Sequence, residues 1–464
     1  MPEAATSAAA SPLTGSQLGR GQWAFAFALV TSLFFTWGFA YGLLDVLNAH
    51  FQVIFKIDKT QSTLLQLAYF GAYVVFSPVA GIFMRKRGYK AGIHLGLTLY
   101  SLGAVFFWPS AKFAKYGGFV GCTFVIGCGL ATLEVAANSY IAVLGTPQYA
   151  AARLNFSQGF QGVASFAGPL IASRWFFLGA NATGLATVQW VYLAVAGLGV
   201  VLNILFYFCN LPEIEEEATL YQLPGEVEVE PFRKQYRCIF GYVAQTAYVG
   251  AQVGVASLAV NFMVEQGIGL SSSRASQLFS FCQMTFTAGR FIGVFILNFV
   301  DPALLLSIYG FACCTFSVAI AFATGQAGVG CLFGLFFFES ICYPCIFTLG
   351  TKNLGVHTKQ GSGLIVMGVG GGAWYPPAQA SVADRVSTRR SYLVPFSGYV
   401  AMTIYAVGLV VDQSLKEGFR LRNREESVNQ PRPSTEEEGK SEEQQSDNDE
   451  KKELEGSVEE VKSN

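Results

Sequence analysis

Four ionisable side chains stand inside long apolar stretches of this chain: Asp45, Glu134, Arg290 and Glu339. On insertion scales a charge at mid-membrane costs about 2.5–3.5 kcal/mol, so such a residue faces a wet cavity or a partner. Asp45 shares a helical face with Gly38, Tyr41, Gly42 and Asn48, which recur at helical spacing. A protonatable group there can couple its charge to the movement of an ion. Glu134 has Asn138 one turn on, so acid and amide accept and donate together to a hydroxyl-rich ligand. Gln158, Gln161 and Ser165 form a polar stripe on one stretch, and Gln245, Tyr248 and Gln252 on another. Amides and phenols avoid lipid, so both stripes are expected to face inward. Arg290 follows Gln283 and Thr287 on its helix, and it is expected to pair with Glu339 across the cavity.

Other features carry no chemistry. Gly368 to Gly372 resembles a phosphate loop, but no strand precedes it and no Lys-Ser/Thr follows it. It reads as close helix packing or a hinge. Cys342 and Cys345 form a CxxC without a second pair and read as small apolar packers. His50, His94 and His357 are far apart and lack ligand spacing. No catalytic constellation, metal site or cofactor is expected, and no nucleic-acid partner.

The elements that position these residues are membrane spans. Of the 464 residues 52% are hydrophobic and 13% charged, which suits a bilayer rather than a soluble core. A crossing helix needs about 20 apolar residues. Six such stretches run over 23–50, 63–84, 93–109, 119–144, 156–178 and 188–209. A polar segment with Pro-Glu-Ile-Glu-Glu-Glu follows, and six more stretches cover 238–264, 275–299, 303–323, 329–349, 362–383 and 392–411. The expectation is an all-α membrane protein of about twelve transmembrane helices in two six-helix halves, the major facilitator plan, around a central cavity. Its organisation is expected as a disordered cytoplasmic N-terminus (1–22), an N-terminal half (23–210), a cytoplasmic linker (211–237), a C-terminal half (238–414) and a disordered acidic cytoplasmic tail (415–464). The tail holds roughly half of the acidic side chains and few large apolar ones.

Basic residues cluster in alternate loops: Arg85, Lys86, Arg87 and Lys90; Arg233, Lys234 and Arg237; Lys352 and Lys359; Arg420, Arg422 and Arg424. These loops fall on one side, expected to be cytoplasmic with both termini inside. The sequon at Asn181 then lies outside and is the expected glycosylation site, whereas the one at Asn155 lies inside and would be inert. A plasma membrane is the expected location.

Distributed motifs carry a resemblance. They include Leu44-Asp45-Val46-Leu47, Tyr89-Lys90-Ala91-Gly92, Phe107-Trp108-Pro109, Leu133-Glu134-Val135-Ala136-Ala137-Asn138 and Arg153-Leu154-Asn155. The second half adds Tyr248 to Gln252, Gly289-Arg290-Phe291, Tyr343-Pro344 and Lys352-Asn353-Leu354-Gly355. From about Phe25 to Val411 the chain resembles the L-fucose–proton symporter (fucose permease) family of the major facilitator superfamily. The resemblance implies proton-coupled import of a monosaccharide, L-fucose or a related hexose, by alternating access. It implies proton coupling at Asp45 and Glu134. Sugar binding is expected at Glu134, Asn138, Gln158, Gln161, Gln245, Tyr248, Gln252, Arg290 and Glu339. Partners are expected to be the monosaccharide, protons or sodium, and lipid, with the monomer as the working unit. The chain departs from the bacterial fucose carriers at Tyr41 to Leu44, Gln161, Glu339 and Cys342. A sodium-coupled or uncoupled glucose/galactose carrier, and a membrane sugar sensor signalling through its tail, stand as alternatives.

Overall fold

In the computed structural model, residues 18–56, 59–171, 186–209, 211–214 and 231–423 are described. Side chains within 40–53, 59–63, 168–171, 186–187 and 272–273, and that of residue 417, are not. Long helices account for nearly all of this. In the N-terminal half they are α1 (Arg20–Phe55), α2 (Lys59–Lys112), α3 (Tyr116–Val143), α4 (Ala150–Ile171) and α5 (Ala186–Phe208). In the C-terminal half they are α6 (Tyr236–Val264), α7 (Ser272–Leu297), α8 (Pro302–Phe322), α9 (Gly325–Glu339), α10 (Cys342–Thr351), α11 (Thr358–Met367), α12 (Tyr375–Arg385), α13 (Thr388–Ser391) and α14 (Leu393–Glu417).

Twelve spans emerge once three departures from regular helix are read. α2 is two spans joined at Gly88, whose φ of 83° and ψ of 173° turn the chain. Glu213 closes that corner by accepting the Tyr89 amide at 2.6 Å. The tenth stretch is α9 followed by α10, interrupted at Ser340 and Ile341, where Ser340 takes a turn-like bond from its amide to the Phe337 carbonyl. The eleventh is α11, a 3-10 segment from Gly368–Ala373, and α12, which starts at Tyr375 with Pro in its first turn. Prolines lack the amide that an uninterrupted helix would use there. Among the described residues, nine helices meet length and hydropathy criteria for crossing a membrane, and one of these, 49 residues long, is the double span. α4 and the broken eleventh span fall short because they carry the polar and glycine-rich faces of the protein interior.

The molecule is an integral membrane protein of two six-helix halves, apolar outside. Phe295, Phe299, Ile404 and Tyr207 are each about 70% exposed, which suits a lipid-facing surface.

The two halves clasp each other at the end that carries the basic loops. There Gly81 of α2 and Gly363 of α11 meet backbone to backbone. A Cβ at Gly81 would stand 2.6 Å from the Lys359 carbonyl, and one at Gly363 2.6 Å from the Ser77 carbonyl. Arg85 donates to Gln360 at 3.3 Å, and the Lys359 ammonium sits 4.4 Å above the Tyr89 ring. Gln148, in the turn before α4, exchanges hydrogen bonds of 2.8 and 2.9 Å with Asn423, beyond α14. Deeper, Asn155 of α4 donates to the Arg290 carbonyl of α7 at 2.6 Å.

A candidate substrate cavity

Above this clasp, toward the other end, the halves part around a cavity of about 550 Å³. On α7 its lining runs from Ser276 near the helix start through Ser280, Gln283 and Thr287 to Arg290. Fourteen residues at 1.5 Å per residue make this a shaft of about 20 Å. α4 faces it with Gln158, Gln161 and Ser165, α6 with Val249, Gln252, Val253 and Ala256. Trp37, Tyr69, Phe70, Phe279, Phe286 and Phe336 supply aromatic surface. Amides, hydroxyls and rings in one pocket suit a ligand with both polar edges and apolar faces.

Close packing fixes the α4 stripe. A Cβ on Gly38 of α1 would stand 3.0 Å from Ser165 Oγ and closer still to the Gln161 carbonyl, so α1 lies directly against α4. Only glycine permits that approach. Gly162 stands likewise against Thr287, which seats α4 against α7.

The floor is a polar cluster drawn from both halves. Glu134 of α3 is buried, and its Oε1 accepts the Tyr343 hydroxyl of α10 at 2.5 Å. Asn138 donates to the same hydroxyl at 3.4 Å, and Gln158 donates to Asn138 at 3.4 Å. The Arg290 guanidinium bonds the Gln158 carbonyl, Gln161 Oε1 at 3.3 Å and the Ser340 carbonyl at 3.4 Å, and it lies 4.7 Å from the Phe286 ring. Glu134 and Arg290 therefore face one floor without a direct ion pair. Glu134 Oε2 and Gln158 Oε1 are buried without a hydrogen-bond partner. Buried polar atoms are normally satisfied, so open acceptors at the bottom of a cavity mark where a donor from a ligand or water belongs. Beside them Trp37 donates to the Tyr73 hydroxyl at 2.6 Å, which approaches Tyr69 at 3.4 Å.

The residues expected from sequence divide into three groups. Glu134, Gln158, Gln161, Gln252 and Arg290 line the cavity, and Asn138 stands immediately behind its floor. Gln245, Tyr248 and Glu339 do not line it. Tyr248 is buried and donates to the Glu339 carbonyl at 2.7 Å. Gln245 is buried, both side-chain polar atoms unpartnered, against Gly368 of the 3-10 segment. The third group is outside what is described: Asn181 altogether, and Asp45 in its side chain, although its backbone belongs to α1.

One expectation is corrected. Arg290 does not pair with Glu339. The Glu339 carboxylate accepts the Tyr399 hydroxyl of α14, while Arg290 points to α4. The break at Ser340 and Ile341 explains this. On a continuous helix, positions 339 and 343 would share a face. Across the break Tyr343 faces the cavity floor and Glu339 faces away from it.

Sequence reasoning gave no role to Tyr343 beyond a motif, and read Asn155 as an inert sequon and a motif residue without a partner. A tyrosine next to proline inside an apolar stretch was the available signal for Tyr343. Asn155 had none, because its partner is a backbone carbonyl 135 positions away.

A family model described as Major Facilitator Superfamily matches residues 25–373. The chain is 32% identical over 409 residues to a glucose/galactose transporter of Brucella abortus, covering 87% of this chain and 98% of that one. It is 32% identical over 404 residues to an L-fucose-proton symporter of Escherichia coli, covering 82% and 92%. The crystal structure of the transporter FucP in its outward conformation superposes with a TM-score of 0.73 at 30% identity, over 83% of this chain and 99% of that one. The chain belongs to the Major Facilitator Superfamily, grouping there with the L-fucose-proton symporters and glucose/galactose transporters, and it is a membrane transporter and not an enzyme.

Proposed function

We propose that this protein is a proton-coupled symporter that imports a monosaccharide, L-fucose or a related hexose, by alternating access. The observation that carries the reading is the cavity floor. A carboxylate from one half, Glu134, and a guanidinium from the other, Arg290, flank neutral amides with open acceptor atoms. Sugar hydroxyls donate to Glu134 Oε2 and Gln158 Oε1 and accept from Arg290, while ring faces stack on the aromatic wall. The relatives named for fucose with protons, and for glucose and galactose, point to the same solute class.

The basic loops support, by the positive-inside preference, an orientation with the clasped end cytoplasmic and the cavity open outward. Asp45 and Glu134 take up protons from outside, sugar binds across Glu134, Asn138, Gln158, Gln161 and Gln252, and the halves rock about the floor. Opening at the basic end breaks the Gly81–Gly363 contact and releases both cargoes. Neutralising a buried carboxylate before the halves move removes the cost of carrying its charge through the closed state. The monomer contains the whole cavity and works alone. The plasma membrane is the proposed site of action.

The test is radiolabelled L-fucose uptake into proteoliposomes with an imposed inward proton gradient, with unlabelled glucose and galactose as competitors. Gradient-dependent accumulation blocked by fucose supports the reading. A second reading, a glucose/galactose carrier, is favoured by the Brucella relative. Failure to accumulate L-fucose, with uptake of labelled glucose or galactose that unlabelled fucose does not block, would establish it, and a sodium gradient in place of protons identifies its ion.

A further inference from the structure

Glu339 is a carboxyl group that the cavity does not use. It is fully buried at the end of α9, closed in by α6, α7, α8 and α14. One oxygen accepts the Tyr399 hydroxyl, and the other, Oε2, is buried with no partner. The titratable groups that bear on it are Tyr248 from α6, Cys282 from α7, Cys313 from α8, Tyr392 immediately before α14, and Tyr399 from α14. Every one is a neutral acid. Arg290, the cation of the cavity floor, bonds the carbonyl of the next residue, Ser340, and its other hydrogen bonds go to α4. A carboxylate with one neutral donor and no cation is far costlier to bury than a carboxylic acid. The acid form also fits the geometry, with the Tyr399 hydroxyl donating to Oε1 and the proton on Oε2.

The position of Glu339 ties it to the moving parts. It is the last residue of α9. The following residue holds Arg290 through its carbonyl, and Tyr343, one turn further, holds Glu134. A shift at this helix break therefore reaches both charged groups of the cavity floor.

We propose that Glu339 is a further proton-binding site, in the C-terminal half and outside the substrate cavity, which holds its proton while the basic end is clasped and gives it to water when that end opens. Proton binding at Glu339 stabilises the clasped conformation, and loss of the proton leaves a carboxylate that this conformation does not accommodate. The site depends on no particular solute, so it stands or falls separately from the sugar reading.

Infrared difference spectra of the purified full-length protein at neutral pH test the protonation. Wild type minus Glu339→Gln should show a protonated carboxyl stretch that the variant lacks, and Tyr399→Phe should move that stretch to higher wavenumber by removing its donor. A difference spectrum without such a band, or a band unmoved in Tyr399→Phe, overturns the proposal. Tyr399→Phe keeps the test intact should Glu339→Gln fail to fold. Hydrogen exchange of residues 352–363, corrected for the intrinsic rate, tests the coupling to the clasp. Wild type should lose protection there as pH rises, while Glu339→Gln stays protected. Equal loss in the two proteins refutes the coupling.

Discussion

Tyr343 and Arg290 hold the cavity floor together, and each can be perturbed by one atom or one group. Tyr343→Phe removes the hydroxyl that bonds Glu134 and receives Asn138. A hydrogen bond to a charged group is worth about 1.5–3 kcal/mol, so solute affinity is expected to fall by about 10-fold or more, measured as the KM of uptake. Arg290→Lys keeps the charge but loses the planar fork that reaches the Gln158 carbonyl, Gln161 and the Ser340 carbonyl together. A comparable loss is expected, with protein yield unchanged. Yield that collapses in Arg290→Lys would mean that the residue is structural before it is functional. Much of this floor was legible in the sequence, because an acid or an arginine amid apolar residues declares itself. Glu134, Arg290 and the α4 amides were found that way. The partners were not legible. Glu339 and Arg290 are natural mates by charge, yet a two-residue break in the helix turns one of them away. Nothing within Phe336 to Ile341 itself announces where its helix will stop; the signal lies just beyond, at Pro344, which has no amide to give the Ser340 carbonyl.

At the scale of elements, glycine contacts set where helices cross. α2 and α11 touch through Gly81 and Gly363, so any side chain there must push the halves apart at the basic end. Gly81→Leu is expected to favour the form opened at that end. Hydrogen exchange of residues 352–363 should rise in this variant, and net uptake should fall several-fold. Unchanged exchange would place the closure elsewhere, at Asn155 or Gln148. The twelve spans themselves followed from hydropathy, since lipid demands a continuous apolar helix surface. Their internal interruptions did not follow. Gly368 to Gly372 did announce itself as a packing or hinge segment, and it forms a 3-10 segment between α11 and α12. The break in the tenth span has no glycine; its mark is Pro344, four residues after Ser340, whose missing amide leaves the Ser340 carbonyl without its helical partner.

For the whole molecule, the boundary of the transporting unit lies further along the chain than hydropathy suggests. The last apolar stretch ends near Val411, but Asn423 reaches back to Leu297 and Gln148. Removing residues after 424 is therefore expected to leave uptake within about twofold of the full chain. Removing those after 414 also deletes the two partly buried hydrogen bonds between Asn423 and Gln148 and the buried one to Leu297, and should cost stability, on the order of 1 kcal/mol for each bond. A thermal unfolding comparison in detergent checks this. Uptake lost on removal of residues after 424 would favour a sensor that needs its tail.

The clasp at the basic end also has a bearing on ionic strength. Although Arg85, Lys359 and Glu213 all gather there, the halves meet mainly through glycine backbones, amide-to-carbonyl bonds and a ring beneath an ammonium. Lys359 pairs there with Glu213 at 3.9 Å, a long and partly exposed contact, and the closer pairs Arg237 and Lys416 make with Asp412 lie within the C-terminal half rather than between the halves. Dissolved salt screens exposed charges over about 8 Å at physiological strength but leaves close-packed backbone untouched. The balance between the two faces of this transporter should therefore be nearly indifferent to the salt content of the solution at the basic end, even though the loops at that face are dense with charge.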